Sequence, residues 1–474
     1  MEPIMTDTTD VGTARIRPHD VGLGVSDADT LTIDGHSLTD LVRQYGAPLW
    51  IMSADTIRHN LRTITEAFQA VTPASRIVYA SKANPAPAIS ALVVQEGAMV
   101  DVASLGHAVL AERAGVPARR IVVNGNCKSA EYLRWAIDAD VAMINVDSID
   151  ELNQTIATPL PRDSEVRIAL RLTTDLSRHH DDRGMFDSEL ETKFGMSDQD
   201  ALHAADLIAR TPGIRLVGLH HHLGFTAYDS TYNAELDLQR RRRVVEQLVA
   251  VADKLYRGYG VSIEVFNYGG GFRVKTDTGY GPGAVRSLPE IDAGADATAG
   301  YTGRLLAERG LPAAQIWVEP GGYLVSNAGV FTARVGVRKS IPVRGEVRDW
   351  VFLEDTSAYH FVRRLMADVY HPAIAATRMS QPCTGRVHVA GATCAPDEVT
   401  PPLTMPELTR GDLIALLDQG AYCDAVSTEY CALPLPPTVL VDEHSTRLIR
   451  RRRTPHDIAA DYLADVEPAG GTRE

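Results

Sequence analysis

Residues 76–84 read Arg76-Ile77-Val78-Tyr79-Ala80-Ser81-Lys82-Ala83-Asn84. The β-branched and aromatic run forms a short strand, and the lysine falls just past its end. A helical stretch follows at 86–96, and a second apolar run opens at 99–103. The alternation then continues outward. Apolar runs at 121–124, 141–146, 166–172, 214–220, 263–268 and 315–318 are separated by helical stretches at 107–114, 131–139, 149–156, 198–210, 234–256 and 296–308. Eight short strands with amphipathic helices between them predict a parallel sheet closed into a (β/α)8 TIM-like barrel, in preference to an open doubly wound sheet.

Past residue 330 the rhythm changes. Runs at 331–341, 350–354, 386–390, 412–417 and 438–442 read as strands between Pro and Gly, and helical patterns thin out. This predicts an all-β C-terminal domain over 331–474 after a barrel over 49–330. Residues 31–48, a strand and a helix, are expected to join the β domain. Residues 1–30 are polar and aperiodic and are expected to form a flexible arm.

Composition bounds the function. Among 474 residues, 45% are apolar and 23% charged, which excludes a disordered, collagen-like or coiled-coil chain. Lys and Arg number 47 against 61 Asp and Glu, a net charge of −14 that disfavours nucleic acid and anionic membranes as partners. The five cysteines, Cys127, Cys383, Cys394, Cys423 and Cys431, include no C-x-x-C pair. No secretory h-region stands at the start and no run reaches the ~18 apolar residues of a membrane span, so a cytoplasmic location is expected. The basic runs 240–243 and 450–453 read as solvated surface.

In a barrel, reactive side chains project from the C-terminal ends of strands. Lys82 stands at one such end, where an amine among apolar residues suits Schiff-base chemistry; its plain alternative is a surface lysine opening a loop. Gly269-Gly270-Gly271 follows the run 263–268 and lets backbone N–H groups face an anion, or simply makes a tight turn. Glu319-Pro320-Gly321 follows 315–318 and offers a rigid carboxylate for a positive centre, or a turn. His220-His221-His222 is open to three readings: His220 and His222 as metal ligands, one imidazole stacked on an aromatic cofactor, or a hydrogen-bonded interior histidine. Cys394 is an acid, a nucleophile or a small apolar residue, and Tyr422 a phenol after a glycine turn or a core tyrosine.

Their order along the chain resembles the fold type III pyridoxal-phosphate (PLP) decarboxylases, the group of diaminopimelate, ornithine and arginine decarboxylases, whose barrel alanine racemase shares. The matching stretches run from Tyr45-Gly46-Ala47-Pro48-Leu49 through Tyr79–Asn84, Asp101-Val102-Ala103-Ser104, Lys193-Phe194-Gly195, Gly218–Gly224, Gly269–Phe272, Glu319-Pro320-Gly321 and Gly391–Cys394 to Gly420-Ala421-Tyr422. The resemblance implies an amino-acid decarboxylase. Lys82 would hold PLP as a Schiff base and Glu319 would face the pyridine nitrogen, where a pyridinium is the better electron sink. His222 would stack on the ring, and Arg171 would contact its hydroxyl. Asp101 would sit near Lys82. Gly269, Gly270, Gly271 and Tyr422 would hold the phosphate. Asp355 matches an acidic position that meets a distal amine. Cys394 would come from the other subunit of a homodimer and reprotonate Cα. No metal is implied.

The sequence also departs from that pattern. Phe225 stands where a serine usually follows His-x-Gly, and Gly322 where an arginine usually follows Glu-Pro-Gly. Ala395 replaces the acid after the cysteine, with Asp397 and Glu398 out of step, and His107 stands where glutamate is common. Without the bidentate arginine and the distal acid, free diaminopimelate and free ornithine are poor fits, and a conjugated or carrier-bound amino acid is expected. The alternatives are a racemase or epimerase on the same fold, a non-catalytic PLP-binding homologue, and a metal-dependent hydrolase built on His220 and His222.

Overall fold

The structure is a computed structural model that describes residues 21–162, 164–173, 193–223, 233–274, 287–361, 371–395 and 397–462. At its N-terminal side β1 (Leu23–Val25), β2 (Leu31–Ile33) and β3 (His36–Ser37) form a small antiparallel sheet, followed by the helix Leu38–Tyr45 and by β4 (Leu49–Ser53). Eight strands then close into a parallel barrel. They are β5 (Arg76–Ala80), β6 (Met99–Val102), β7 (Ile121–Val123), β8 (Met143–Val146), β9 (Val166–Arg171), β10 (Ile214–His220), β11 (Val265–Asn267) and β12 (Gln315–Val318). Closure runs through Trp317 opposite Arg76 and Val318 opposite Ile77.

Local chemistry explains the alternation. Barrel strands are covered on both faces, so they read as continuous apolar runs. The strand-to-helix junctions are marked by capping side chains. Ser53, Ser104, Ser129, Ser148, Ser197 and Asn233 each accept from a backbone N–H in the first helical turn. Each cap stabilises its helix by about 1 kcal/mol.

Inside the barrel, one apolar layer takes a side chain from every strand: Val78, Met99, Val122, Met143, Ala169, Val217, Val265 and Trp317. This layer plugs the barrel, so anything polar must sit above it. Strand β10 carries an irregularity between Leu216 and Gly218 that brings Gly218 level with Ala169. A Cβ on Gly218 would lie 2.9 Å from the Val265 carbonyl oxygen, which leaves room for glycine only.

The C-terminal part comprises β13 (Gly329–Val343), β14 (Glu346–Leu353), β15 (Ala373–Ala375), β16 (Gly385–Ala390), β17 (Glu398–Met405), β18 (Leu413–Leu416), β19 (Thr438–Asp442) and β20 (Ser445–Arg450). The main sheet runs β17-β16-β14-β13-β4-β19-β20, and β18 pairs with β13 and β15. Trp50, Phe331 and Phe361 pack edge to face at its centre, with Trp50–Phe331 centroids 4.6 Å apart.

Four differences from the sequence expectations stand out. Leu49–Ser53, expected to open the barrel, instead lies between β13 and β19 in the C-terminal sheet. Residues 31–33 are not an extra strand of that sheet; they pair with β1 and β3, and Leu31 and Ile33 pack on the sheet's face beside Val330 and Val439. The strand Leu23–Val25 lies inside the stretch expected to be a flexible arm, of which residues 1–20 are outside the described residues. Strand β17 contains Pro401 and Pro402, which local pattern disfavours, but it lies at the sheet's edge, where a missing N–H costs little.

Candidate active site

Two residues beyond the apolar layer, the period-2 alternation brings the next inward-facing position of each strand to the C-terminal mouth. Those positions are Asp101 (from Met99), Asn124 (Val122), Asn145 (Met143), Arg171 (Ala169), Asn267 (Val265) and Glu319 (Trp317), and in β10 His220, counted from Gly218 because the irregularity sets that residue level with Ala169. All seven are buried and polar. From Val78 the same step reaches Ala80, and the chain then turns through Ser81–Ala83 to present Lys82.

The ring is wired by amides. Asn124 Nδ2 donates to Asp101 Oδ1 at 2.8 Å and to Glu319 Oε1 at 3.1 Å. Asn145 Nδ2 donates to Asn124 Oδ1 at 2.8 Å, which fixes the Asn124 orientation. Asn267 Nδ2 donates to Glu319 Oε1 at 2.7 Å, and His220 Nε2 stands 3.5 Å from Glu319 Oε2. Burial opposes ionisation of Glu319, but His220 and the two amides outweigh it and hold the carboxyl down at about 2. Asp101 goes the other way. Burial and then repulsion from Glu319 push it up to about 7, against the pull of Lys82, Asn124 and Arg171. Two acids at one mouth are thus split into an anion and a group that titrates near neutrality.

Two lysines enter the barrel, and their surroundings differ. Lys128 Nζ spends all three of its hydrogens, on Gly125 O (2.8 Å), Asn145 O (2.7 Å) and Glu151 Oε1 (2.6 Å), and cannot act as a nucleophile. No hydrogen bond or ion pair holds Lys82 among the described residues, and its charge acts on Asp101, His222 and His107. Lys128 was invisible to the sequence reading, being a lysine in the loop after β7.

His222 faces this amine. Its Nδ1 accepts from the Gly270 N–H at 2.9 Å, which leaves the ring hydrogen on Nε2. Burial, then Lys82 and Arg171, push the imidazole well below its ordinary value, so it is neutral. The glycine triplet does something other than present three free amides. Gly269 N–H donates to Asn267 Oδ1 at 3.0 Å and Gly270 N–H to His222, so two of the three already have partners within the chain. Gly269 and Gly271 have φ of 62° and 84°. A Cβ on Gly269 would come within 2.6 Å of His221 O, and one on Gly270 within 2.8 Å of Glu319 O. The triplet therefore lets three strand ends crowd together, and that leaves an edge with no side chains.

The basic run at 240–243, expected to be solvated, is half buried. Arg240 and Arg241 point inward from the long helix Ala234–Tyr259. Arg241 pairs with Asp237 at 2.6 Å, donates to Gly271 O at 3.1 Å and lies over the Phe272 ring at 4.0 Å, so it fastens the glycine loop from behind. Arg171 is likewise anchored sideways, to Asp147 Oδ1 at 3.2 Å, with its guanidinium 4.4 Å from the Phe194 ring centroid. Gly195 N–H donates to Asp147 Oδ2, which brings the Lys193-Phe194-Gly195 motif against Arg171.

Tyr422 reaches the same mouth from the C-terminal part, with a left-handed backbone (φ 54°) and its N–H on Ala83 O at 2.9 Å. Cys394 and Asp355 do not join the mouth within one chain. Cys394 is exposed, and its contacts are Tyr430 Oη at 3.4 Å and Cys431 Sγ at 3.8 Å. Asp355 is exposed, and its charge acts on Arg452. The out-of-step acids are both committed. Asp397 accepts from Ser357 Oγ, the Ala358 N–H and both donors of Thr393, and Glu398 pairs with His388 at 2.8 Å. Gly322 opens the short helix Gly322–Val325. His107 sits in the first turn of Leu105–Arg113 with its Nδ1 buried and unpartnered, near enough to Lys82 to be pushed down by it after burial. Gly224 and Phe225 lie outside the described residues.

The metal reading loses its geometry, because His220 turns to Glu319 and His222 to Gly270. Among the described residues no three His, Cys, Asp or Glu side chains converge as ligands. What the mouth requires is one molecule with an electrophile for Lys82, a positive ring atom for Glu319 and a flat face for a neutral imidazole. Pyridoxal phosphate has all three, and the glycine edge leaves space beside it; the residues present fit a PLP enzyme.

The comparisons with known proteins point to the same class. The family described as "Pyridoxal-dependent decarboxylase, pyridoxal binding domain" matches residues 54–326, and the chain belongs to this family. It is 28% identical to a diaminopimelate decarboxylase of Zymomonas mobilis, over 91% of this chain and 96% of that one. It is 31% identical to one of Actinosynnema pretiosum, over 90% and 91%. The crystal structure of the M. jannaschii diaminopimelate decarboxylase in complex with L-lysine superposes with a TM-score of 0.81 at 26% identity, covering 95% of this chain and 98% of that one. The protein is a PLP-dependent carboxy-lyase that acts on an amino acid.

Proposed function

We propose that this enzyme decarboxylates an amino acid whose far end is something other than a free aminocarboxylate, at sites completed by a second copy of the chain. When bound, the cofactor supplies the sink for the electron pair left on Cα as CO2 departs. The remaining work falls to the chain. Lys82 Nζ is the covalent anchor. Glu319, ionised at neutral pH, holds a proton at the ring nitrogen. His222 would supply a face for the ring and, being neutral, would not compete for that proton. Asp101, poised near neutrality beside Lys82, exchanges protons with that amine. Arg171 would hold the ring hydroxyl, and Tyr422 with the edge Gly269–Gly271 would hold the phosphate.

Cys394 of the second copy delivers the proton to Cα, and Asp355 reads the distal end of the substrate. The exposure of Cys394, whose contacts are Tyr430 and Cys431, supports delivery across a homodimer. Its thiol is pushed down by Tyr430 and Cys431, which eases proton release. No helix among the described residues is long and apolar enough to cross a membrane, and a cytoplasmic setting suits a thiol kept reduced.

The substrate reading is carried by one observation: Asp397 and Glu398, the only acids near Ala395 in the sequence, are both tied up within their own loop and sheet. With Gly322 offering no side chain, neither usual anchor for a distal aminocarboxylate is present. Each missing charge-assisted bond lowers selectivity by about 1.5–3 kcal/mol. A CO2-release panel of meso-diaminopimelate, ornithine, arginine, lysine and their N-acylated derivatives tests this. The expected result is that one of the derivatives, or an amino acid outside the diaminopimelate series, has the highest kcat/KM. The names of the relatives favour a second reading, diaminopimelate itself; leading turnover of that compound would establish it and defeat the first.

A further inference from the structure

The exposed surface of the C-terminal part holds a second reactive group beside the proposed proton donor. Cys394 Sγ and Cys431 Sγ are 3.8 Å apart, although 36 residues separate them in the chain. Both are exposed, and Tyr430 Oη stands 3.4 Å from Cys394 Sγ. The two thiols are held toward each other from both sides. Asp397 gathers the loop under Cys394 through Ser357, Ala358 and Thr393. On the other side, Tyr430 packs on Tyr359 with centroids 4.5 Å apart, and Arg453 pairs with Glu429 at 3.1 Å. Cys431 and Ala432 both take left-handed backbones, with φ of 58° and 54°. Such values are uncommon for residues other than glycine, and here they turn the Cys431 side chain to its neighbour.

A disulfide needs its sulfurs about 2.05 Å apart, and rotation of two exposed side chains can close the remaining gap. We propose that Cys394 and Cys431 are a redox-sensitive pair whose disulfide switches the enzyme off, with hydrogen peroxide or an organic hydroperoxide as the oxidant. The Cys394 thiolate attacks one peroxide oxygen. The O–O bond breaks, the sulfur becomes a sulfenic acid, and the departing oxide takes the thiol's proton and leaves as water or alcohol. Cys431 sulfur then attacks the sulfenic sulfur, the S–O bond breaks, and a water leaves with the Cys431 proton. Two thiols have lost two electrons and two protons, and the peroxide has gained them. A dithiol reverses the step by exchange. Hydrogen bonds from Tyr430 and Cys431 that favour the Cys394 thiolate hasten the first attack. Inactivation rests on the proposed role of Cys394, because a disulfide sulfur has no proton to give to Cα.

The experiment treats the holoenzyme with peroxide, alkylates the remaining thiols, and maps peptides without reductant while decarboxylation is followed in parallel. The expected result is a linked Cys394–Cys431 peptide pair that accumulates in step with loss of activity, both reversed by dithiothreitol. Cys431→Ser, which removes one contact to the Cys394 thiol, is scored against its own activity before oxidation. After peroxide it should show no linked pair and little recovery with dithiothreitol, as Cys394 passes to the sulfinic acid. Alkylation of both cysteines in peroxide-inactivated enzyme overturns the proposal, and so does a linked pair in fully active enzyme. Full turnover by Cys394→Ala without peroxide defeats the proton-donor role and with it the off-switch, whereas the linkage itself is read separately by mass.

Discussion

The backbone N–H of Tyr422 donates to the carbonyl of Ala83 at 2.9 Å, so the C-terminal part is fastened to the very turn that carries Lys82. Asn84 Nδ2 adds a second tie, to Gly420 O at 3.2 Å. Glycine is required there, because a Cβ on Gly420 would lie 1.7 Å from the Val325 carbonyl oxygen. Gly420→Ala should therefore cost about 1–3 kcal/mol through overpacking. It should also loosen the Lys82 turn, which thermal melts of the cofactor-loaded enzyme and its KM for substrate will register together. An unchanged melt with unchanged KM would show that the docking is incidental.

Glu319 is held as an anion by two asparagine amides and a histidine. Glu319→Gln keeps the volume and removes the charge. Removal of one preorganised electrostatic partner costs roughly 10²–10³ in kcat. The variant should lose that much while keeping full cofactor stoichiometry. A loss confined to cofactor binding would mean that Glu319 anchors the cofactor and does not tune it.

The two acids at the mouth give opposite pH slopes. Glu319 lies at about 2 against an ordinary 4.5, so its contribution to stability is complete above the ordinary value and lost as pH falls toward the folded one. Asp101 lies at about 7 against an ordinary 3.8, so its folded form binds the extra proton and stability falls as pH rises between the two values. In cofactor-free protein, Asp101→Asn should gain in melting temperature relative to the unaltered chain between about pH 4 and about pH 7. A difference that stays flat with pH would contradict the raised value.

Arg241 fastens the glycine loop through Gly271 O and is itself paired with Asp237. Breaking a buried pair by removing one member costs about 3–5 kcal/mol. Arg241→Met keeps much of the packing on Phe272 and removes the charge. It should weaken cofactor retention during dialysis more than it changes kcat of the loaded enzyme. Equal losses in both would place the loop in the chemical step.

Much of this was legible in the sequence. All eight barrel strands were, because strands buried on both faces announce themselves as apolar runs. Lys82, Asp101, Arg171, His222 and Glu319 stand at or just past the ends of those runs, where barrel chemistry collects. The ring asparagines Asn124, Asn145 and Asn267 were passed over, although the same period-2 step from Val122, Met143 and Val265 leads to each of them. The place of Leu49–Ser53 in the C-terminal sheet was not legible, since its partners Gly329–Thr332 and Thr438–Val441 lie hundreds of residues away. The buried half of the run 240–243 was hidden for a similar reason: helix phase against a distant glycine loop decides which arginines turn inward. The nearness of Cys431 to Cys394 depends on left-handed backbone at two non-glycine residues, which sequence pattern does not signal.

In the proposed mechanism the free amine of Lys82, and not the fully engaged amine of Lys128, carries the cofactor. Borohydride reduction of the holoenzyme followed by peptide mapping tests it most directly. The expected result is a phosphopyridoxyl group on the peptide containing Lys82 and on no other. Labelling of Lys128, or of no lysine at all in protein that shows full cofactor loading, would contradict it.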